Sequence, residues 1–183
     1  RPLVVAHSPE VDDALAGVSR IKLYQRQKIY LTDSAPVLDN YGLTVIDQSS
    51  ETISTSDGDT FYIDSFRAMP ADRSANMSKL SGTLAEALER TLAGSARDDS
   101  LNTLILGAGL SWQEVEVLRA YIAYDRQLGS ATPFGTTYGV WCSHPDAAAG
   151  LLRLFQARFR PGFLRSFTRA SRVSRPSPRS GRR

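Results

Sequence analysis

Cysteine, histidine and long apolar runs are all scarce in this sequence, and each shortage closes off a class of function. A single cysteine, Cys142, leaves no internal disulfide to staple a small extracellular scaffold. The two histidines, His7 and His144, stand far apart, so the spacing shows no soft-ligand cluster suited to zinc. No apolar run approaches the roughly 20 residues that a membrane helix needs, and no membrane partner is expected. The chain opens on Arg1, and the residues after it lack the basic, apolar, small-residue order of a signal peptide. A cytoplasmic location is therefore expected, and the chain reads as a piece of something larger.

What the sequence does contain is globular. It has 183 residues, 42% of them apolar and 22% charged, enough for one domain or two small ones and unlike a disordered, collagenous or coiled-coil chain. The net charge of +3 conceals an asymmetry. Residues 163–183 hold seven arginines and no acid, which leaves residues 1–162 with 15 basic against 19 acidic groups, a net of −4. A nucleic-acid footprint needs a basic face on a folded element. Here the body is acidic and only an Arg/Ser/Pro tail is basic, so nucleic acid is not the expected partner and the tail reads as disordered.

Period-2 alternation of Ile21 and Leu23 with Lys22 and Tyr24 predicts a strand with one buried face. Thr32 and Asp33 offer capping oxygens to a short helix through Val37, Leu38 and Tyr41, and Gly42 stands where a left-handed cap would end it. Leu43 to Asp47 and Thr60 to Phe66 read as strands, joined through Asp57-Gly58 as an antiparallel hairpin. From about Ser74 to Pro161 the pattern turns helical. Met77, Leu80, Leu84, Leu88 and Leu92 share one face of a helix that carries a Glu86/Arg90 pair and ends at Gly94. Ser111-x-x-Glu114 is a capping box, and behind it two stripes, Val115/Leu118/Ile122 and Val117/Tyr121/Tyr124/Leu128, predict a helix buried over a wide arc and central in its bundle. His144-Pro145-Asp146 opens a further helix, with Ala148, Leu151, Leu152, Phe155 and Phe159 at helical spacing and Pro161-Gly162 at its end.

None of the candidate chemistry forms a constellation. Leu106-Gly107-Ala108-Gly109 suggests a dinucleotide turn, but Trp112 occupies the third glycine position, where helix and strand must approach closely, and a glycine-capped helix end fits better. Ser111 sits in half of a hydrolase nucleophile elbow and is better read as a helix cap. Ser143, His144 and Asp146 have triad residue types, yet they are sequence neighbours, whereas triads are assembled from distant segments. The pairs Asp12/Asp13 and Asp98/Asp99 read as solvated caps, Asp57-Gly58-Asp59 lacks calcium-loop spacing, and Cys142 reads as a small apolar residue in a helix. Catalytic, cofactor-binding and metal-binding residues are accordingly expected to be absent.

Three separated blocks in order do carry a resemblance. Ala35-Pro36-Val37-Leu38-Asp39-Asn40-Tyr41-Gly42-Leu43-Thr44-Val45-Ile46-Asp47 is similar to a segment of the large bacterial NAD-dependent glutamate dehydrogenases. So is Leu101 to Val115 with Leu118-Arg119-Ala120-Tyr121 and Tyr124-Asp125-Arg126-Gln127. His144-Pro145-Asp146, with Leu151-Leu152 and Leu154 to Phe159, resembles the next block of that family's pattern. The likeness covers roughly Ser19 to Pro161. It implies an α+β fold: a small ACT-like, ferredoxin-like antiparallel sheet module, a helical bundle region and a disordered basic tail.

In residues, the resemblance implies an upstream linker or helix end at 1–18, the ACT-like module at 19–95, the helical region at 96–161 and the tail at 162–183. Met77 to Leu92 would supply the second helix of a βαββαβ unit whose last strand is not evident. The parent reaction it implies is conversion of L-glutamate, NAD and water to 2-oxoglutarate, ammonium and NADH. NAD would belong to a catalytic domain outside this chain, no catalytic residue carries over, and this segment is expected to bind no cofactor itself. The implied partners are that catalytic domain or another subunit of a homo-oligomer.

Amino-acid-binding ACT modules commonly carry a glycine between first strand and first helix, and the loop from Gln25 to Thr32 has none. The alternatives are a stand-alone amino-acid sensor or a truncated gene product, the latter suggested by the change in composition after Pro161.

Overall fold

The computed structural model describes residues 3–6 through their backbone, and residues 17–72 and 75–159. The described elements are strands β1 (Leu3–Ala6), β2 (Ser19–Gln25), β3 (Leu43–Ser54) and β4 (Thr60–Pro70), and helices α1 (Leu31–Asn40), α2 (Met77–Leu92), α3 (Thr103–Gly107), α4 (Trp112–Gln127), α5 (Phe134–Ser143) and α6 (Pro145–Phe159). A 3-10 turn, Ser100–Asn102, leads into α3. The fold is α+β, an ACT-like antiparallel sheet followed by a helical region.

The four strands lie in the order β1-β2-β4-β3, with every neighbouring pair antiparallel. Strands β2 and β3 therefore run parallel, with α1 crossing over between them and β4 inserted in the middle, the split βαβ of a ferredoxin-like sheet. The last strand, not evident in the sequence, has its place beside β2, and Leu3–Ala6 fills it, pairing Leu3 with Tyr24 and Ala6 with Ile21. Residues 1–18 are thus not simply an upstream linker or helix end. A four-residue Leu-Val-Val-Ala run is β-prone but too short to stand out until a sheet edge offers it hydrogen bonds.

On β2 the buried positions are Ser19, Ile21, Leu23 and Gln25, and on β4 they are Asp64, Phe66, Ala68 and Pro70, so one sheet face is covered and the other stays half-open. Helix α1 lies against β3 and α2 against β1. The β3–β4 hairpin turns at Gly58, whose φ of 87° needs glycine, and continues past Asp47 to Ser54, well beyond the stretch its apolar residues mark. A register shift between Val45 and Asp47 bends this edge strand.

Two helix ends differ from expectation. Helix α1 starts at Leu31, with Tyr30 as N-cap and no side-chain cap, so Thr32 and Asp33 lie inside its first turn, where Asp33 still complements the positive end of the helix dipole. Its other end is as expected: Gly42, at φ 71°, donates to the Asp39 carbonyl. Helix α2 takes a cap outside the sequence expectation, the Asn76 side chain accepting from the Lys79 amide at 3.0 Å. Helix α5 does not stand out in the sequence, because Phe-Gly-Thr-Thr-Tyr-Gly-Val-Trp-Cys-Ser combines two glycines with β-branched residues that weaken helix propensity.

The core is continuous. Ile21, Leu23, Leu38, Tyr41 and Phe66 of the sheet module join Leu84 and Leu88 of α2 and Leu104, Ile105, Leu118 and Leu152 of the helical region in one cluster. Residues 160–183, including Pro161-Gly162 and the expected disordered tail, lie outside the described residues.

Candidate functional site: a polar junction and an open apolar groove

The capping box forms as read. Ser111 accepts from the Glu114 amide, while the Glu114 carboxylate accepts from the Ser111 amide at 2.9 Å. Gln156 of α6 donates to the other oxygen of Glu114 at 2.9 Å, so the cap also ties two helices together. Trp112, where a dinucleotide motif would want glycine, donates its indole N–H to Glu86 at 3.0 Å and lies under the Arg90 guanidinium, 5.6 Å from its ring centroid. Glu86 and Arg90 thus both meet α4. Gly109, at φ 66°, follows the end of α3 as a glycine cap.

On either side of the boundary between sheet module and helical region, polar groups pair within their own part, and one exposed hydrogen bond, Asn40 to Asp98, crosses it. Tyr41 is 1% exposed, and its hydroxyl shares a 2.8 Å hydrogen bond with the Thr91 hydroxyl. Burial pushes the Tyr41 pKa from 10.0 to about 12, although the Thr91 hydrogen bond and the nearby Arg119 charge act the other way. Asn40 donates to Asp98 at 3.0 Å. Next to it, Asp99 caps the 3-10 turn by accepting from the Leu101 amide at 3.1 Å.

Asp99 also takes both arms of a fork from Arg119, Nε at 2.9 Å and Nη2 at 2.8 Å. Arg119 is 6% exposed, and its remaining donors reach Asn102 and Glu116, both at 2.7 Å. Burial alone would lower the Arg119 pKa. The hydrogen bonds and charge of Asp99, with Glu116, outweigh it and hold the guanidinium above its ordinary value. Tyr138 of α5 is pushed up by burial and by the Asp99 charge. Of the pair Asp98/Asp99 only Asp99 is a cap, and it is also the anchor of an ion pair with the buried Arg119, which spacing cannot reveal because that partner lies 20 residues away.

The remaining candidates take structural positions. Ser143 donates to the Gly139 carbonyl at 2.8 Å within α5, the His144 carbonyl accepts the Ala147 and Ala148 amides, and Asp146 lies in the first turn of α6. Cys142, half-buried in α5, donates to the Ser100 carbonyl at 3.2 Å. Asp57 and Asp59 belong to the hairpin turn, where the Asp59 carbonyl accepts from Thr55 and its carboxylate meets Arg26 at 3.2 Å. Asp12 and Asp13 lie outside the described residues. Among the described residues no group of three or more His, Cys, Asp or Glu could hold a metal.

Helix α4 corrects the sequence reading most. Val115, Leu118 and Ile122 are buried as expected, and of the second stripe Val117 packs against the core and Tyr121 is half-buried, but Tyr124 is 57% and Leu128 69% exposed. On that side Val117, Ala120, Tyr121 and Tyr124 line a groove of about 310 Å³ with Phe155 and Phe159 of α6. Tyr121 and Phe155 meet edge-to-face at 5.8 Å there. A second cleft, of about 450 Å³, runs between α1 and β3; its lining is mostly aliphatic, with Asp39 as the one charged group.

A split-βαβ sheet under two helices, sharing one apolar core with a helical region, defines the class: an ACT-like module fused to a helical motif. Residues 5–80 match the family model described as glutamate dehydrogenase, ACT3 domain, and residues 96–161 match glutamate dehydrogenase, helical motif 3. The chain thus carries, in succession, two parts described for glutamate dehydrogenases.

It is 34% identical over 164 residues to the NAD-specific glutamate dehydrogenase of Halomonas elongata, a match covering 87% of this chain and 10% of that protein. It is 31% identical over 140 residues to that of Pseudomonas aeruginosa (75% of this chain, 9% of the relative). It is also 32% identical over 139 residues to that of Mycobacterium tuberculosis (72% and 8%). The chain therefore spans about a tenth of the length of the curated relatives it matches.

Proposed function

We propose that this chain is a regulatory or architectural segment of an NAD-dependent glutamate dehydrogenase, and that it takes no chemical part in oxidising glutamate. The parent enzyme would convert L-glutamate, NAD and water to 2-oxoglutarate, ammonium and NADH, with NAD held by a catalytic domain elsewhere in the parent. The observation that carries this reading is the second apolar stripe of α4. Tyr124, Leu128 and Phe159 expose an aromatic and aliphatic face of the kind that marks a protein contact. That face fits the catalytic domain, or a neighbouring subunit of a homo-oligomer, as its partner. No described helix is long and apolar enough to cross a membrane, and a cytoplasmic enzyme is the setting we assign.

The α1–β3 cleft supports a second reading, amino-acid sensing, through its size, which falls within the range of small-molecule sites. Its chemistry speaks against it, because a free amino acid brings both a carboxylate and an ammonium group, and the cleft offers Asp39 to the second and no cation to the first. Two measurements on the purified 183-residue chain test both readings. Incubation with L-glutamate and NAD should form no NADH, and turnover would overturn the non-catalytic assignment. Calorimetric titration with glutamate, aspartate and other amino acids should give no binding heat, and a saturable isotherm would establish the sensor.

A further inference from the structure

The outer stripe of α4 has a spacing of its own. Val117, Tyr121, Tyr124 and Leu128 follow one another at intervals of four, three and four, and Ala148, Leu152, Phe155 and Phe159 of α6 repeat the same intervals. Alternating steps of three and four make a seam that meets other helices at a shallow angle, as in coiled coils and helix bundles. On α6 the first half of the seam lies inside the molecule, Ala148 and Leu152 being buried in the core, whereas Phe155 and Phe159 line the groove. On α4 exposure grows along the seam, from Val117, packed against the core, to Tyr124 and Leu128, more than half in solvent. The rings already meet one another, Tyr121 and Phe155 at 5.8 Å and Phe155 and Phe159 at 4.9 Å. Helices α4 and α6 thus present half of a four-helix arrangement, with both seams on the same open side.

Charge narrows the choice of occupant. Glu114, Glu116 and Asp125 of α4 stand against Arg119 and Arg126, and Asp146 of α6 against Arg153 and Arg158, so the two helices balance at four of each sign. None of the six residues lining the groove is charged. Such a face gives an acidic or a basic partner nothing to select, and two copies of it approach without net repulsion. A two-fold contact needs one patch that fits itself. The missing half of the arrangement needs apolar residues at the same three-four spacing, and α4 and α6 of a second copy carry them.

We propose that the α4–α6 face is a two-fold interface with a second copy of this chain, in which Tyr121, Tyr124, Leu128, Phe155 and Phe159 of one copy pack against the same set of the other and close a four-helix contact. In the parent enzyme this face then joins two subunits, a setting that rests on the architectural reading above and names its partner. From Val117 to Leu128 the seam is about 17 Å long at the helical rise. That is small for a protein interface, so the isolated pair should be weak and half-dissociate at micromolar concentration.

Sedimentation equilibrium of the full 183-residue chain tests this over a range of about 1–500 μM, which brackets a micromolar dissociation constant. The mass should rise from monomer to dimer and no further. Tyr124→Asp/Leu128→Asp places charge on two residues already more than half exposed, so circular dichroism should be unchanged while the dissociation constant rises at least about tenfold. Tyr124→Ala/Leu128→Ala, which adds no charge, should weaken the dimer in the same direction. Leu154→Asp, on α6 and 65% exposed but off the seam, should dimerise like the unaltered chain. A chain that stays monomeric across the range would overturn the proposal and leave the catalytic domain as the partner of the groove. A dimer that survives both double variants would overturn it by putting the interface elsewhere. Neither result bears on the non-catalytic reading, which is decided by NADH formation.

Discussion

Helix α4 carries two apolar stripes, and only the first is buried along its whole length. Val115, Leu118 and Ile122 are all but inaccessible in the shared core, while Tyr124 and Leu128 stand more than half exposed on the groove side. A sequence pattern records only that both faces are apolar. Which face is filled depends on what the rest of the chain brings to it, and this chain brings the sheet module, α2 and α3 to one side and only α6 to the edge of the other. The inner stripe makes this segment fold; the outer one is available to join it to something else.

The sharpest way to break the comparison is at the polar centre of the inner side. Arg119→Ala leaves Asp99, Asn102 and Glu116 without their shared partner, and removing one member of a buried ion pair costs about 3–5 kcal/mol. Denaturant titration would show it as a drop in midpoint, and a loss within experimental error would mean that water satisfies the cluster.

The two stripes can then be set against each other directly. Leu118→Ala should cost about 2–5 kcal/mol through loss of buried area and the cavity left behind. Tyr124→Ala should stay within about 0.5 kcal/mol because its ring is already largely in water. Similar losses from the two would show that both stripes serve folding.

A smaller effect belongs to Tyr41. Removing its hydroxyl with Tyr41→Phe leaves Thr91 without that partner and should cost about 1 kcal/mol at neutral pH. Its pKa is raised from 10.0 to about 12 by folding, so the unfolded chain loses this proton first. The contribution is complete below about pH 10 and disappears as the pH climbs towards 12, up to about 2–3 kcal/mol in all. Stability profiles of the two proteins from pH 9 upwards should differ by that alkaline decline, and parallel profiles would show that Tyr41 ionises as freely folded as unfolded.

Elements whose evidence is local were legible in the sequence. The alternation of β2, the Gly42 and Gly94 caps, the Asp57-Gly58 hairpin and the Ser111/Glu114 box each rest on residues within a few positions of one another. What was not legible depends on distant partners. Leu3–Ala6 becomes a strand because β2 offers an edge, and α5 becomes a helix against neighbours despite its glycines and β-branched residues. The Arg119–Asp99 pair joins residues whose relation no period could show. Tyr124, read as buried, is exposed because hydrophobic spacing cannot distinguish a face that packs at home from one that packs elsewhere.

Whether sheet module and helical region form one folding unit through their shared core is tested most directly by Phe66→Ala in β4. Both tryptophans, Trp112 and Trp141, lie in the helical region, so their fluorescence reports on the part of the molecule that this substitution does not touch. A single unit requires that the tryptophan-detected unfolding midpoint fall together with the one detected by circular dichroism, by a loss of about 3–5 kcal/mol. A tryptophan transition that stays where it was while the sheet melts early would contradict this, and would make the ACT3 domain and helical motif 3 two independent units.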